Sequence, residues 1–259
     1  MTVGQKINRE RVAVLGWGRA ILLQFAHPLV AAGIAEHSGF DRGRLSRLHR
    51  LHATVGAMRK LAFGDDQLVS RTIARINAIH DRVNGRLKTA AGGVEAGTPY
   101  TATDPALLLW VHATMLESVS LAYERFVAPL SAAEKDAFCA EAVGVGHRLR
   151  IPEHLLPRTR ASLDDYMNGV RNSGQLEVTE TARHLARGLL FPPLVDPTRP
   201  GAWLNRLVTL GLLPPDIRSA YGFRWSARRD RLLAFVAASM RVLLPLTPPL
   251  IRFWPEGRR

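Results

Sequence analysis

Apolar positions along this chain recur at spacings of three and four residues, not two. Residues that far apart share one face of a helix, so the pattern predicts a succession of amphipathic and buried helices. Residues 12–26 are apolar behind a Gly16-Trp17-Gly18-Arg19 opening. His27-Pro28 interrupts them, because the residue before proline disfavours helical backbone. Pro28 suits the first turn of a second helix, from Leu29 to His37. Asp41 is placed to cap a long helix to about Leu61, and Asp65 or Asp66 to cap the next, which Gly85 ends. Residues 86–103 are rich in Gly and Ala, contain Thr98-Pro-Tyr100, and read as a loop. Loops of that length in a compact domain are often functional. Asp104-Pro105 then opens a strong helix through Trp110 and His112 to Phe126. Ser131-Ala-Ala-Glu134 is a capping box that starts another, to about Leu149. Shorter helices follow near 160–172 and 178–190, then a proline-rich linker from Phe191 to Pro200. Helices near 201–211, 215–221 and 226–243 complete the series. There is almost no period-two alternation, no Asn-Gly hairpin and no repeat at 30–50 residues. The prediction is a single all-α globular domain over residues 1–259, with a loosely attached subregion from about 195.

A few polar residues interrupt the apolar faces. Val69, Ile73, Ile76, His80 and Val83 recur at helical spacing, which puts His80 on a core-facing stripe. A buried imidazole needs a partner for its ring nitrogens; a metal is one, and a structural hydrogen bond is the commoner one. His112 sits in a similar stripe with Leu108, Met115 and Val119. His27 precedes Pro28, where its ring can bond a carbonyl of the broken helix. Arg50 and Thr54 stand one turn apart on one helix face. Glu36-His37-Ser38 ends an apolar helix, and Arg19 follows its Gly-rich start; capping and surface charge explain both equally well.

Composition narrows the function classes. With 259 residues and 47 % hydrophobic content, a sizeable core can form. A single cysteine, Cys139, excludes a disulfide framework and Cys-rich metal sites, and fits a cytoplasmic location. The first twelve residues lack the pattern of a signal peptide. The longest apolar stretch, Leu232 to Trp254, is broken by Arg241, Arg252 and prolines, so a buried helix with a stiff tail is expected there. Ile251, Phe253 and Trp254 beside Arg252, Arg258 and Arg259 leave a peripheral membrane contact open. The net charge of +13 raises nucleic acid or an anionic surface as a partner. The basic residues from Arg42 to Lys60 form no single-faced stripe, however, and no nucleic-acid-binding signature is present, so no nucleic acid partner is expected. Nucleotide-loop, nucleophile-elbow and His-Glu-x-x-His motifs are also missing.

Several ordered blocks resemble the MpaB-type oxygenase family, grouped with the catalytic domain of rubber oxygenase, the latex clearing protein. They are Gly18 through Gln24-Phe-Ala-His27-Pro to Ser38, Asp104-Pro through Trp110-Val-His112 to Thr114, Ala122-Tyr-Glu-Arg to Ser131, Leu155-Leu-Pro157, and Leu212 to Tyr221. The resemblance implies an all-α domain enclosing an apolar pocket for haem b, and oxygenase chemistry with dioxygen on an apolar, unsaturated small molecule. It implies that His80 is the iron ligand, that Arg50 and Thr54 match the Arg-x-x-Lys-Thr motif beside the haem, and that Glu36 is the distal carboxylate, acting as base or orienting oxygen. Arg19 or Arg50 would pair with haem propionates, and His27 and His112 would lie against the cofactor. The chain departs from the family pattern where Ala53 replaces the motif lysine, so a lysine ligand is not available there. Rubber cleavage itself does not follow, because function lives in the site rather than the fold. A helical haem- or lipid-binding protein without turnover, and a basic protein on an anionic membrane or nucleic acid, remain the alternatives.

Overall fold

The computed structural model describes residues 1–37, 44–191 and 199–258, with side chains described except at 44–52 and 199–200. Within these residues the chain is helical apart from two three-residue strands. The elements are α1 (Val3–Asn8), a 3-10 turn (Arg11–Gly16), α2 (Trp17–Phe25), α3 (Pro28–His37), α4 (Arg44–Phe63) and α5 (Asp66–His80). Strands β1 (Asn84–Arg86) and β2 (Pro99–Thr101) come next, then α6 (Pro105–Phe126), α7 (Ala132–Arg148), α8 (Arg160–Asn172) and α9 (Glu180–Leu190). The C-terminal part holds α10 (Arg199–Leu212), α11 (Pro215–Ala220), α12 (Ala227–Leu243) and α13 (Pro249–Arg252). The all-α prediction holds, and most helix limits fall within a few residues of those predicted. Asp41, the expected cap of α4, lies outside the described residues.

Local chemistry explains the helix starts. Asp104 accepts the Ala106 N–H and is followed by Pro105 at N1; Asp65 accepts the Leu68 N–H; Ser131 and Glu134 close a reciprocal capping box. The predicted loop over 86–103 contains a correction: β1 and β2 pair antiparallel, Gly85 opposite Tyr100, into a small hairpin.

The core is built around α6, whose Trp110 and Phe126 are almost wholly buried. Helix α2 lies against it, with Gln24 donating to the Thr114 hydroxyl and Arg19 reaching Glu117 and Ser118. That close approach requires the glycines of the Gly16-Trp17-Gly18 opening. A Cβ at Gly16 would collide with the Ser118 carbonyl, and one at Gly18 with the Thr209 hydroxyl of α10. Helix α6 is long and apolar enough to cross a membrane, but 67 % of its most apolar window is buried against protein.

The region after about 195 is not loosely attached. The Tyr221 hydroxyl donates to the Leu22 carbonyl at 2.7 Å, Arg19 donates to Leu212, and Arg252 grips Glu10 through three contacts of 2.5–3.0 Å. Val208 and Leu213 are buried in the same core. Of the predicted linker, residues 192–198 lie outside the described residues.

Candidate functional site

Three positions in this fold gather polar side chains that the packing alone does not need. The first is where α3 ends against the hairpin. Gly33 of α3 lies beside Tyr100 and Val83, which seats the helix end on β1 and β2. There the Tyr100 hydroxyl donates to Glu36 Oε2 at 2.5 Å, and Lys88 pairs with Oε1 at 2.9 Å. His37 Nε2 lies 2.8 Å from the Asn84 carbonyl. Those bonds from Tyr100 and Lys88 hold the Glu36 carboxyl below its usual range, so it is ionised and a weak base. Burial and the neighbouring carboxylate push the Tyr100 phenol well up, so it stays a proton donor. Gly85 makes the pair possible. A Cβ there would stand 2.5 Å from the Tyr100 hydroxyl and 2.9 Å from Glu36 Oε2. The family resemblance pointed to Glu36 but not to Tyr100 or Lys88, which lie on what reads as loop.

The second position is the end of α5. Val69 and Ile73 are buried, but Ile76 and His80 are only half-buried, and Val83 lies past the helix. The predicted stripe thus fades toward its histidine. Burial lowers the His80 imidazole below its usual pKa, with Asp81 opposing and Arg150 assisting, so the ring is neutral near pH 7. Neither ring nitrogen bonds to a described protein group. Beside it Asp81 takes a two-pronged contact from Arg150. Arg150 is the one non-glycine residue with positive φ among the described residues, at 70°, where it ends α7. Asn77 donates to the Arg148 carbonyl at 3.1 Å, and Arg148 reaches Asp66 at 2.9 Å. The polar face of α5 is thereby tied to the end of α7.

The third position is the kink between α2 and α3. His27 is 7 % exposed, and its Nδ1 is buried without a partner. Burial lowers its pKa against the pull of Asp104. His112 faces another way: its Nε2 lies against Gly146 of α7, and burial pushes its pKa down to about 4.

The remaining predicted residues have different surroundings. Arg19 is buried and engaged: Nε donates to the Leu212 carbonyl at 2.9 Å, and Nη1 to Glu117 and Ser118 at 2.6 and 2.7 Å. Its guanidinium has its counter-ion inside the protein, and it is not placed as a propionate partner. Thr54 is exposed on α4, and the Arg50 side chain lies outside the described residues. A cleft of about 510 Å³ opens between Thr89-Ala90 and the start of α9, and none of the predicted residues lines it. Among the described residues no three His, Cys, Asp or Glu side chains group to hold a metal ion.

Comparison with known proteins adds the remaining observation. Residues 5–243 match the model of the family described as ER-bound oxygenase mpaB/B'/Rubber oxygenase, catalytic domain. The chain is 27 % identical over 239 residues to uncharacterized proteins of Mycobacterium bovis and Mycobacterium tuberculosis. Those alignments cover 88 % of this chain and 87 % of each relative. No solved structure matches it.

Proposed function

The chain belongs to the mpaB and rubber oxygenase catalytic-domain family, and from that premise we propose that it is a haem b-dependent oxygenase acting with dioxygen on an apolar, unsaturated small molecule. The observation that carries the haem assignment is the state of His80. A ligand to iron must offer a deprotonated nitrogen, and this ring is neutral, half-buried and without a hydrogen-bond partner among the described residues, at the end of a helix. The neutral His80 ring suits such a group; Arg19, already paired with Glu117, does not add to it. His80 would hold the iron, and haem would supply the activation of dioxygen that no side chain can.

The chain's own residues then have separate tasks. Asp81 and Arg150 pin the turn that follows His80, which fixes where its ring points. Glu36, ionised and held by Tyr100 and Lys88, presents a fixed negative charge whose role is to orient a polar group, since its lowered pKa makes it a poor proton acceptor. Arg50 and Thr54 are proposed on the sequence match alone as groups that contact the cofactor or substrate.

The test is an absorption spectrum of freshly purified protein, before and after dithionite and carbon monoxide. An intense band on the order of 400 nm that shifts on reduction supports haem. His80→Ala should remove that band while far-ultraviolet circular dichroism stays helical. Glu36→Gln should keep the band and lose oxygen consumption with an apolar alkene. A spectrum that stays featureless after added haem would overturn the reading.

A further inference from the structure

Seven of the thirteen exposed large hydrophobic side chains among the described residues fall between 232 and 251. Leu232, Phe235, Val242 and Leu243 recur on one side of α12, while Leu233 and Ala237 are buried with Leu207 and Val208 of α10. Phe235 is 69 % exposed and Val242 67 %. The chain continues through a 3-10 turn, Leu244–Leu246, into α13, and adds Leu246, Leu250 and Ile251, each at least 65 % exposed. Scattered surface apolar residues are ordinary, but a row of this length along one helix face and into the next turn is not.

The surroundings are basic. Residues 224–258 contain seven arginines and two acids. Both acids are engaged: Asp230 accepts the Trp225 indole N–H at 2.6 Å, and Glu256 pairs with Arg59. Arg228 and Arg231 lie on the same side of α12 as Leu232 and Phe235, both are exposed, and no described residue pairs with them. A second copy docking here would bring two strongly cationic segments together. An anionic surface would neutralise them and cover the apolar row at once.

We propose that this face of α12 and the turn after it rests on an anionic lipid bilayer. Phe235, Val242, Leu246 and their neighbours enter the boundary between headgroups and acyl chains, and Arg228 and Arg231 meet lipid phosphates. The arrangement is that of an interfacial helix whose other face is already docked on its own protein.

The test is flotation of the full chain with phosphatidylcholine vesicles, with and without about one part in four of phosphatidylglycerol. Binding should need the anionic lipid and fall with salt. Phe235→Ser with Leu246→Ser should lower partitioning by about tenfold or more. Arg228→Gln with Arg231→Gln should lower it by about tenfold on anionic vesicles. Ile79→Ser, at a site 54 % exposed on α5, should change nothing. All these side chains are exposed, so unchanged circular dichroism is expected throughout. Failure to bind anionic vesicles, or binding indifferent to Phe235 and Leu246, overturns the proposal. So does a dimer in light scattering that the Phe235 and Leu246 changes dissolve while vesicles are ignored, which would give the face to a second copy.

Discussion

Replacing Arg19 by Met separates two roles that the sequence allowed for it. Arg19 and Glu117 are an interior pair, with side chains 6 % and 15 % exposed. The guanidinium also satisfies the Ser118 hydroxyl and the Leu212 carbonyl, which ties α2 to α6 and to the end of α10. Removing only the arginine leaves a carboxylate in the interior without its counter-ion. Broken buried pairs of this kind cost about 3–5 kcal/mol, a large part of the roughly 5–15 kcal/mol by which a domain is stable. Replacing both partners, Arg19→Met with Glu117→Met, removes the uncompensated charge and should recover most of that loss. The assay is urea unfolding followed by far-ultraviolet circular dichroism. At a slope of about 3 kcal/mol per molar, the single variant's midpoint should fall by about 1–1.7 M, and the double variant should lie between it and the wild type. Glu117→Gln, which keeps a hydrogen-bond acceptor, should fall less and guards against a single variant that does not fold. If Arg19 served a bound carboxylate instead, Arg19→Met would leave the midpoint within about 1 kcal/mol of wild type and lose haem. That result, or a double variant no better than the single, would refute the structural assignment.

Gly85→Ala should destabilise by about 1–3 kcal/mol, because its Cβ would meet the Tyr100 hydroxyl 2.5 Å away; thermal melting reads it, and Gly97→Ala, strained by φ +86° but in open space, separates backbone strain from collision. His112 has a folded pKa of about 4 against an ordinary 6.5. The unfolded chain therefore takes up a proton that the fold refuses, and stability present above about pH 6.5 is lost as pH falls toward 4, by at most about 3 kcal/mol. His27 and His80, also lowered by burial, act in the same direction. His112→Leu should flatten the slope of unfolding free energy against pH in that window, and an unchanged slope would contradict the burial argument. Arg150→Gly should raise stability by about 0.5 kcal/mol, since relief of the positive φ outweighs an exposed ion pair; a loss of more than about 1 kcal/mol would show that the contact with Asp81 matters more than the strain.

What the sequence disclosed was set by the range of each interaction. Helix starts at Asp65, Asp104 and Ser131 are bonds across two or three residues, and they stand as expected. The stripe through Val69 and Ile73 marks a buried face, but its fading at His80 depends on what packs there, which periodicity does not carry. The hairpin escaped because three-residue strands give no alternation to read. Arg19 looked like a surface or cofactor-facing charge because its partner lies 98 residues away. Tyr100 was unremarked for the same reason, 64 residues from Glu36. The family resemblance supplied the candidate site residues. The structure adds that Arg19 already has a counter-ion in Glu117.

Among the described residues, burial lowers the pKa of three imidazoles, and their surroundings rank them as ligands. His27 is enclosed at the kink, its buried Nδ1 without a partner among the described residues and Asp104 nearby. His112 points at Gly146, where a Cβ would already crowd its Nε2 at 3.3 Å, so a flat macrocycle there would have to displace α7. His80 alone sits at a helix end with part of its surface open. If it is the ligand, His80→Gly removes the nitrogen at a position where glycine costs only about 0.5–1 kcal/mol, and leaves a space the size of the lost ring. Imidazole added to that variant should restore the reduced, carbon monoxide-bound spectrum, and it should leave His112→Gly and His27→Gly as they were. A band that survives His80→Gly without imidazole would move the ligand elsewhere. A band that never returns in a variant still helical and still stable would show that the ring does more than offer a nitrogen.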